Sequence, residues 1–181
     1  MPNLHPQYPG IELDRAPHGE VKLYNAIKEG LGDSYLVFHA LTWIHGEAGK
    51  VVRDYEADFV VFHPSKQALV IEVKGGSSIR HDPHEDKWYS TNHKGKHNIK
   101  DPYRQAKRNK YGLRGYVSGR KEWHKHAGER LLPVFYATFF PDLDSIDGLE
   151  GPYSPAGITG SRRDLERFES WMASVIEFWE G

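Results

Sequence analysis

Residues Leu132–Phe140 (LPVFYATFF) run without a single charged side chain. A strand with one face in water alternates apolar and polar residues, so this run predicts a deeply buried strand in a covered sheet. Other segments predict what surrounds it. Pro17–Leu31 reads as a helix: Pro17 suits a first turn, Val21, Tyr24, Ile27 and Leu31 recur at helical spacing, and Gly32 is a stop. Three strand-like runs follow, Tyr35–Ile44, Tyr55–Phe62 and Ala68–Lys74, the last two ending at His63-Pro64 and Gly75-Gly76. Short strands between turns predict an antiparallel meander. Asp101–Val117 reads as a basic amphipathic helix with Asp101 as its cap and Pro102 at its first position. Residues 141–160 read as loop. Ser161–Trp179 reads as a closing helix, opened by a Ser161/Asp164 capping box and striped with apolar residues from Leu165 to Trp179. The predicted order is α-β-β-β-α-β-α, a mixed α/β sandwich around one central sheet. One domain is expected over residues 1–181, with its core at about 17–140 and its closing helix at 161–179.

With 181 residues the chain can bury a substantial core, and with no cysteine it forms neither disulfides nor thiolate metal sites. No apolar run approaches the roughly 20 residues that span a bilayer, and the start MPNLHPQYPGIELDR lacks the basic and apolar regions of a signal peptide. A cytoplasmic protein without a membrane partner is expected. The net charge of −1 conceals an asymmetry: residues 87–130 hold 13 Lys and Arg against 3 Asp and Glu, while both flanks are acidic. Such a segment suits an anionic partner, nucleic acid being the commonest, or a solvated helix face balanced by the flanks.

Chemistry concentrates at one strand end. In Ala68–Lys74, Leu69, Ile71 and Val73 share one face while Ala68, Val70, Glu72 and Lys74 share the other. Asp58 opens the apolar run Phe59–Phe62 on the preceding strand. If residues 63–67 form a hairpin loop, Phe62 faces Ala68 and Asp58 falls opposite Glu72, roughly 4.5–5.5 Å away. Two buried carboxylates that close require a shared proton or a cation, and a hard divalent ion takes oxygen ligands. A slip of one residue would separate them to opposite faces. The alternative is a strand-end ion-pair cluster of Asp58, Glu72 and Lys74.

The ordered pattern of Gly19-Glu20 on a first helix, Glu56-Ala57-Asp58 on a strand, Ile71-Glu72-Val73-Lys74-Gly75, and Asp101-Pro102-Tyr-Arg-Gln105 opening the basic helix resembles the nuclease-related domain (NERD) family of the PD-(D/E)XK nuclease superfamily. The resemblance covers about residues 17–140; Ala57 departs from the proline of the superfamily's name and touches no ligand. It implies a restriction-endonuclease-like three-layer core with a central mixed sheet flanked by helices. It also implies a Mg²⁺- or Mn²⁺-dependent nuclease acting on DNA ahead of RNA. Asp58, Glu72 and the Val73 carbonyl would hold the metal, and Glu20 would reach in from the first helix. Lys74 would orient or help deprotonate the attacking water, and Gln105 would contact the phosphate or that water. Arg104, Lys107, Arg108, Lys110 and Arg114 would hold the nucleic-acid backbone. The alternative is a non-catalytic nucleic-acid-binding module on the same fold. Related domains often precede helicase or kinase modules, so an N-terminal domain of a larger helicase-type protein is expected.

Trp88, Tyr89 and Tyr103 offer rings for base stacking, with core packing or hairpin pairing the preferred reading. Among the 11 histidines, His81/His84 and His124/His126 form short clusters without zinc-site spacing. No phosphate-binding Gly-x-x-x-x-Gly-Lys-Ser/Thr loop and no Gly-x-Ser-x-Gly elbow occurs.

Overall fold

A computed structural model describes residues 1–7, 15–46, 51–65 and 67–181. Part of the N-terminal stretch read for a leader, and Lys66 in the hairpin loop, lie outside the described residues.

Among the described residues the expected central sheet has six strands in the order β1-β2-β3-β4-β8-β9. These are β1 (Asn3–His5), β2 (Leu36–His45), β3 (Arg53–His63), β4 (Gln67–Val73), β8 (Val134–Phe140) and β9 (Thr159–Ser161). β2, β3 and β4 form the antiparallel meander, whereas β8 runs parallel to β4 because a helical crossover returns the chain to the same end. The uncharged run becomes β8, flanked on both edges by strands, as its composition requires.

Among the described residues four helices accompany the sheet: α1 (His18–Gly30), α2 (Pro102–Ser118), α3 (Lys121–Ala127) and α4 (Phe168–Glu180). Strand alternation divides the core between them. Val61, Leu69, Ile71 and Phe139 pack with Leu23 and Ile27 of α1 and with Phe168, Met172 and Val175 of α4. Val60, Ala68, Val70 and Val134 pack with Leu113 of α2. Helices thus flank the mixed sheet on both faces. Asp101 caps α2 as expected, accepting the Tyr103 and Arg104 N–H groups at 2.9 and 3.0 Å. Ser161 and Asp164 form their capping box, but the first turns, Arg162–Arg167, are a 3-10 helix, and the α-helix begins only at Phe168.

Several elements go beyond the predicted order. β1 adds in parallel to the edge of β2, and β9 does so beside β8. Strands β5 (Ser78–Asp82), β6 (Lys87–Asn92) and β7 (Gly95–Ile99) form a separate antiparallel sheet between β4 and α2. β7 is almost wholly exposed, and so polar a strand carries no hydrophobic period to announce it. Gly75-Gly76 is the turn into that sheet. Gly76 has φ +138°, and a Cβ there would stand 2.2 Å from Ser90 Oγ, so both backbone conformation and close packing demand glycine. Among the described residues no helix is long and apolar enough to cross a membrane.

Candidate metal and nucleic-acid site

The β3–β4 register pairs Phe62 with Ala68, Val60 with Val70 and Phe59 with Ile71. One further step along the same register sets Asp58 beside Glu72. His63 also pairs with Gln67, which shortens the loop without moving the register. On its other side, β3 is interrupted at the same point. β2 pairs with it at His39–Phe59 and again at Leu41–Ala57, skipping Ala40 and Asp58, and Ala40 carries a strained φ of 52°. Asp58 therefore sits at an irregularity of the sheet, freed from the ladder.

Asp58 Oδ2 accepts the Val73 N–H at 2.7 Å. Glu72 is only 2% exposed, and its Oε1 accepts from Lys74 Nζ at 2.6 Å. Burial, reinforced by the Glu72 charge, pushes the Asp58 carboxyl from 3.8 up to about 8, against the pull of the Val73 N–H and Lys74. Burial also raises the Glu72 carboxyl, with the Lys74 ammonium opposing it. One ammonium does not offset two desolvated carboxylates, and the pair holds a proton more avidly than either does in water.

Both carboxylates, Lys74 and Gln105 line one cleft of about 810 Å³ between the sheet and α2. Among the described residues, Gln105 Oε1 and Thr138 Oγ1 are buried without a hydrogen-bond partner. Thr138 is the β8 residue paired with Glu72.

The other expected residues are distributed unequally. Glu20, in the first turn of α1, does not line this cleft. Its Oε2 lies 2.8 Å from His39 Nε2, though its charge still raises both Asp58 and Glu72. Of the five basic residues on α2, Arg108 lines the carboxylate cleft. It donates to the Asp54 carbonyl at 2.9 Å and lies over the Tyr55 ring. Arg104 is ion-paired with Asp86 at 2.7 Å and Asp101 at 3.3 Å. Lys107 is exposed. Lys110 spans the rings of Tyr111, Tyr136 and Trp179, and burial there, with Arg114 and Lys107 nearby, lowers its pKa. Arg114 lies over Tyr111. Lys107, Lys110 and Arg114 do not line the cleft.

Asn109, which sequence reasoning missed, is buried in the cleft wall and donates to the Glu56 carbonyl at 2.6 Å. Its place four residues after Gln105, one helical turn along the same face, was the signal. His39 carried no such signal, since its partnership with Glu20 is made in three dimensions. Trp88 and Tyr103 are buried: Trp88 stacks on His81 at 4.7 Å, and the Tyr103 hydroxyl meets Thr159 Oγ1 at 2.7 Å. Tyr89 carries Lys96 over its ring. His81 contacts Asp86 and His124 the Gly128 carbonyl. Among the described residues, no three His, Asp or Glu side chains are gathered closely enough to hold a metal ion as they stand.

These elements, from α1 to β8, coincide with a family signature. The chain belongs to the nuclease-related domain family, whose model matches residues 16–141. No curated protein and no solved structure matches it. Membership makes the protein nuclease-related and points to a nucleic-acid substrate.

Proposed function

We propose that this domain hydrolyses phosphodiester bonds of nucleic acid, DNA ahead of RNA, with a divalent cation (Mg²⁺ or Mn²⁺) held by Asp58, Glu72 and the Val73 carbonyl. The observation that carries the reading is the pair of desolvated carboxylates on adjoining strands, lining one cleft with a lysine bound to Glu72. The donor set is all oxygen, which suits a hard cation. The unpartnered Gln105 Oε1 and Thr138 Oγ1 fit a centre completed by bound species. Such a cation, when bound, polarises a phosphoryl oxygen and lowers the pKa of water.

The chain's own groups do the rest. The Val73 N–H fixes the Asp58 carboxylate, and in antiparallel pairing the Val73 carbonyl projects towards the same neighbour as its N–H. Lys74, tethered by Glu72, places an ammonium where negative charge accumulates during phosphoryl transfer. Gln105 Oε1 accepts a hydrogen bond from a water and orients it for attack, while Arg108 turns its remaining donors to the phosphate. Glu20, held by His39, supports the centre from the neighbouring face. Family resemblance supports placement in a larger helicase-type protein, and cysteine-free composition suits the cytoplasm.

A second reading, a binding module without turnover, draws on the lack of a ready three-ligand group among the described residues. Cleavage of labelled single- and double-stranded DNA and RNA, titrated with Mg²⁺ and Mn²⁺, separates the two. The nuclease predicts metal-dependent cleavage that falls at least about 100-fold in Glu72→Gln and also falls in Lys74→Ala. Metal-independent binding with no cleavage of any substrate would establish the module instead.

A further inference from the structure

The carboxylate cleft is not closed at its end. Lys100, Gln105 and Arg108 line it and also line a second cleft of about 630 Å³, bounded by α2 and the small β5–β7 sheet. The two are therefore contiguous across those three residues. Their charges differ. Asp54 and Glu56 line the first cleft and not the second, whereas Lys87 and Arg104 join Lys100 and Arg108 around the second. Its acidic residues are engaged, Asp86 by Arg104 and Asp101 by the helix cap and Arg104. Lys87 is paired with Glu85, which leaves Lys100 and Arg108 as the cleft's cations without an acidic partner among the described residues. A phosphate chain leaving the carboxylates is repelled on the Asp54/Glu56 side and attracted towards Lys100.

The second cleft also holds unmet hydrogen-bonding capacity. Trp88 is 3% exposed, and its Nε1 has no partner among the described residues; neither does Gln105 Oε1. One donor and one acceptor, both buried without a partner among the described residues, thus sit on side chains that line the same trough, and each costs free energy until something pairs with it.

We propose that this trough guides one strand: single-stranded DNA runs from Asp58 and Glu72 over Lys100, Gln105 and Arg108 into the cleft beneath the β5–β7 sheet. The inference rests on the nuclease reading for its starting point and adds the substrate class and the direction of travel. Glu72 is 2% exposed, so a scissile phosphate must descend below the surface to reach it. A duplex is stiff over about 150 base pairs and presents its phosphates on the outside of a rod. A single strand bends into the recess. The small sheet, absent from the predicted order, acquires a role as the outer wall of this path.

The test is binding in EDTA by fluorescence anisotropy, using labelled oligothymidylate and a duplex of equal length across a salt series. The single strand binds about tenfold or more tightly than the duplex. Lys100→Ala lowers the salt slope for the single strand by about 0.7, the loss of one phosphate contact. Trp88→Phe keeps the ring, removes the indole N–H and weakens single-strand binding roughly three- to tenfold. Lys28→Ala, on the exposed last turn of α1, leaves binding unchanged. Tighter binding of duplex, with Lys107→Ala reducing it more than Lys100→Ala does, would overturn the proposal in favour of a duplex riding on the outer face of α2. An unchanged slope in a folded Lys100→Ala protein would overturn it as well. Cleavage with Mg²⁺, measured on the same proteins, keeps the two readings apart. Guided binding without cleavage sinks the nuclease and leaves the path, and cleavage with an unchanged slope does the reverse.

Discussion

Replacing Asp58 by asparagine removes one of two neighbouring buried carboxylates and keeps an oxygen for the Val73 N–H. In the metal-free protein the folded Asp58 carboxyl titrates near 8 instead of 3.8. Below about pH 4 folded and unfolded chains both hold the proton, and the stability associated with it is fully present. Between about pH 4 and 8 the unfolded chain releases the proton first, so stability falls as pH rises, by about 1.4 kcal/mol per unit. The ceiling on that loss is about 6 kcal/mol. Water entering the open cleft screens part of it, leaving roughly 2–3 kcal/mol at pH 9. The asparagine amide is neutral throughout and escapes the loss. Thermal melts in EDTA should therefore show Asp58→Asn roughly 5–10 °C more stable than wild type at pH 9, with the gap closing towards pH 5. Added Mg²⁺ should then close the gap. At about 100 times its dissociation constant it stabilises wild type by about 2.7 kcal/mol and does little for the variant. A variant less stable than wild type at pH 9, or a gap independent of pH, would refute the argument that burial, reinforced by the Glu72 charge, strains the ionised Asp58 carboxylate.

Other perturbations follow from the cleft walls. Gly112→Ala places a Cβ within 2.4 Å of the Tyr55 ring, so α2 and the β2–β3 hairpin must part; chemical denaturation should register a loss of about 1–3 kcal/mol. Asn109→Ala strands the Glu56 carbonyl and should cost about 1–3 kcal/mol in the same assay. Gln105→Ala removes a side-chain oxygen that has no partner among the described residues; its melting temperature should stay close to wild type while metal-dependent cleavage falls about tenfold or more. A Gln105→Ala protein that cleaves at the wild-type rate would assign that oxygen no part in the chemistry.

Most of the sheet was legible in the linear chain because its signals are local. An uncharged run makes a covered strand, alternation puts Glu72 and Lys74 on one face, and hydrophobic pattern with loop length sets the register that brings Asp58 alongside. Asp101-Pro102 and the Ser161/Asp164 box mark helix starts through contacts spanning only two or three residues. The small sheet escaped notice because exposed, polar strands have no period to read, and they form here only because neighbouring strands supply their hydrogen bonds.

What the sequence determined by itself was the class of fold and the identities of the residues at the strand end, since both depend on spacing along the chain. Tertiary structure alone decided how those residues are used. The basic face of α2 looked uniform, yet its neighbours divide it. Arg108 meets the Asp54 carbonyl at the cleft, Arg104 is spent on Asp86, and Lys110 settles on Trp179. Glu20, expected among the metal ligands, is held by His39. Asp58 reads as an ordinary acid until burial and a second carboxylate raise its affinity for a proton. Charge, partnership and solvent access are properties of what surrounds a side chain, and for these residues the surroundings arrive from distant parts of the chain.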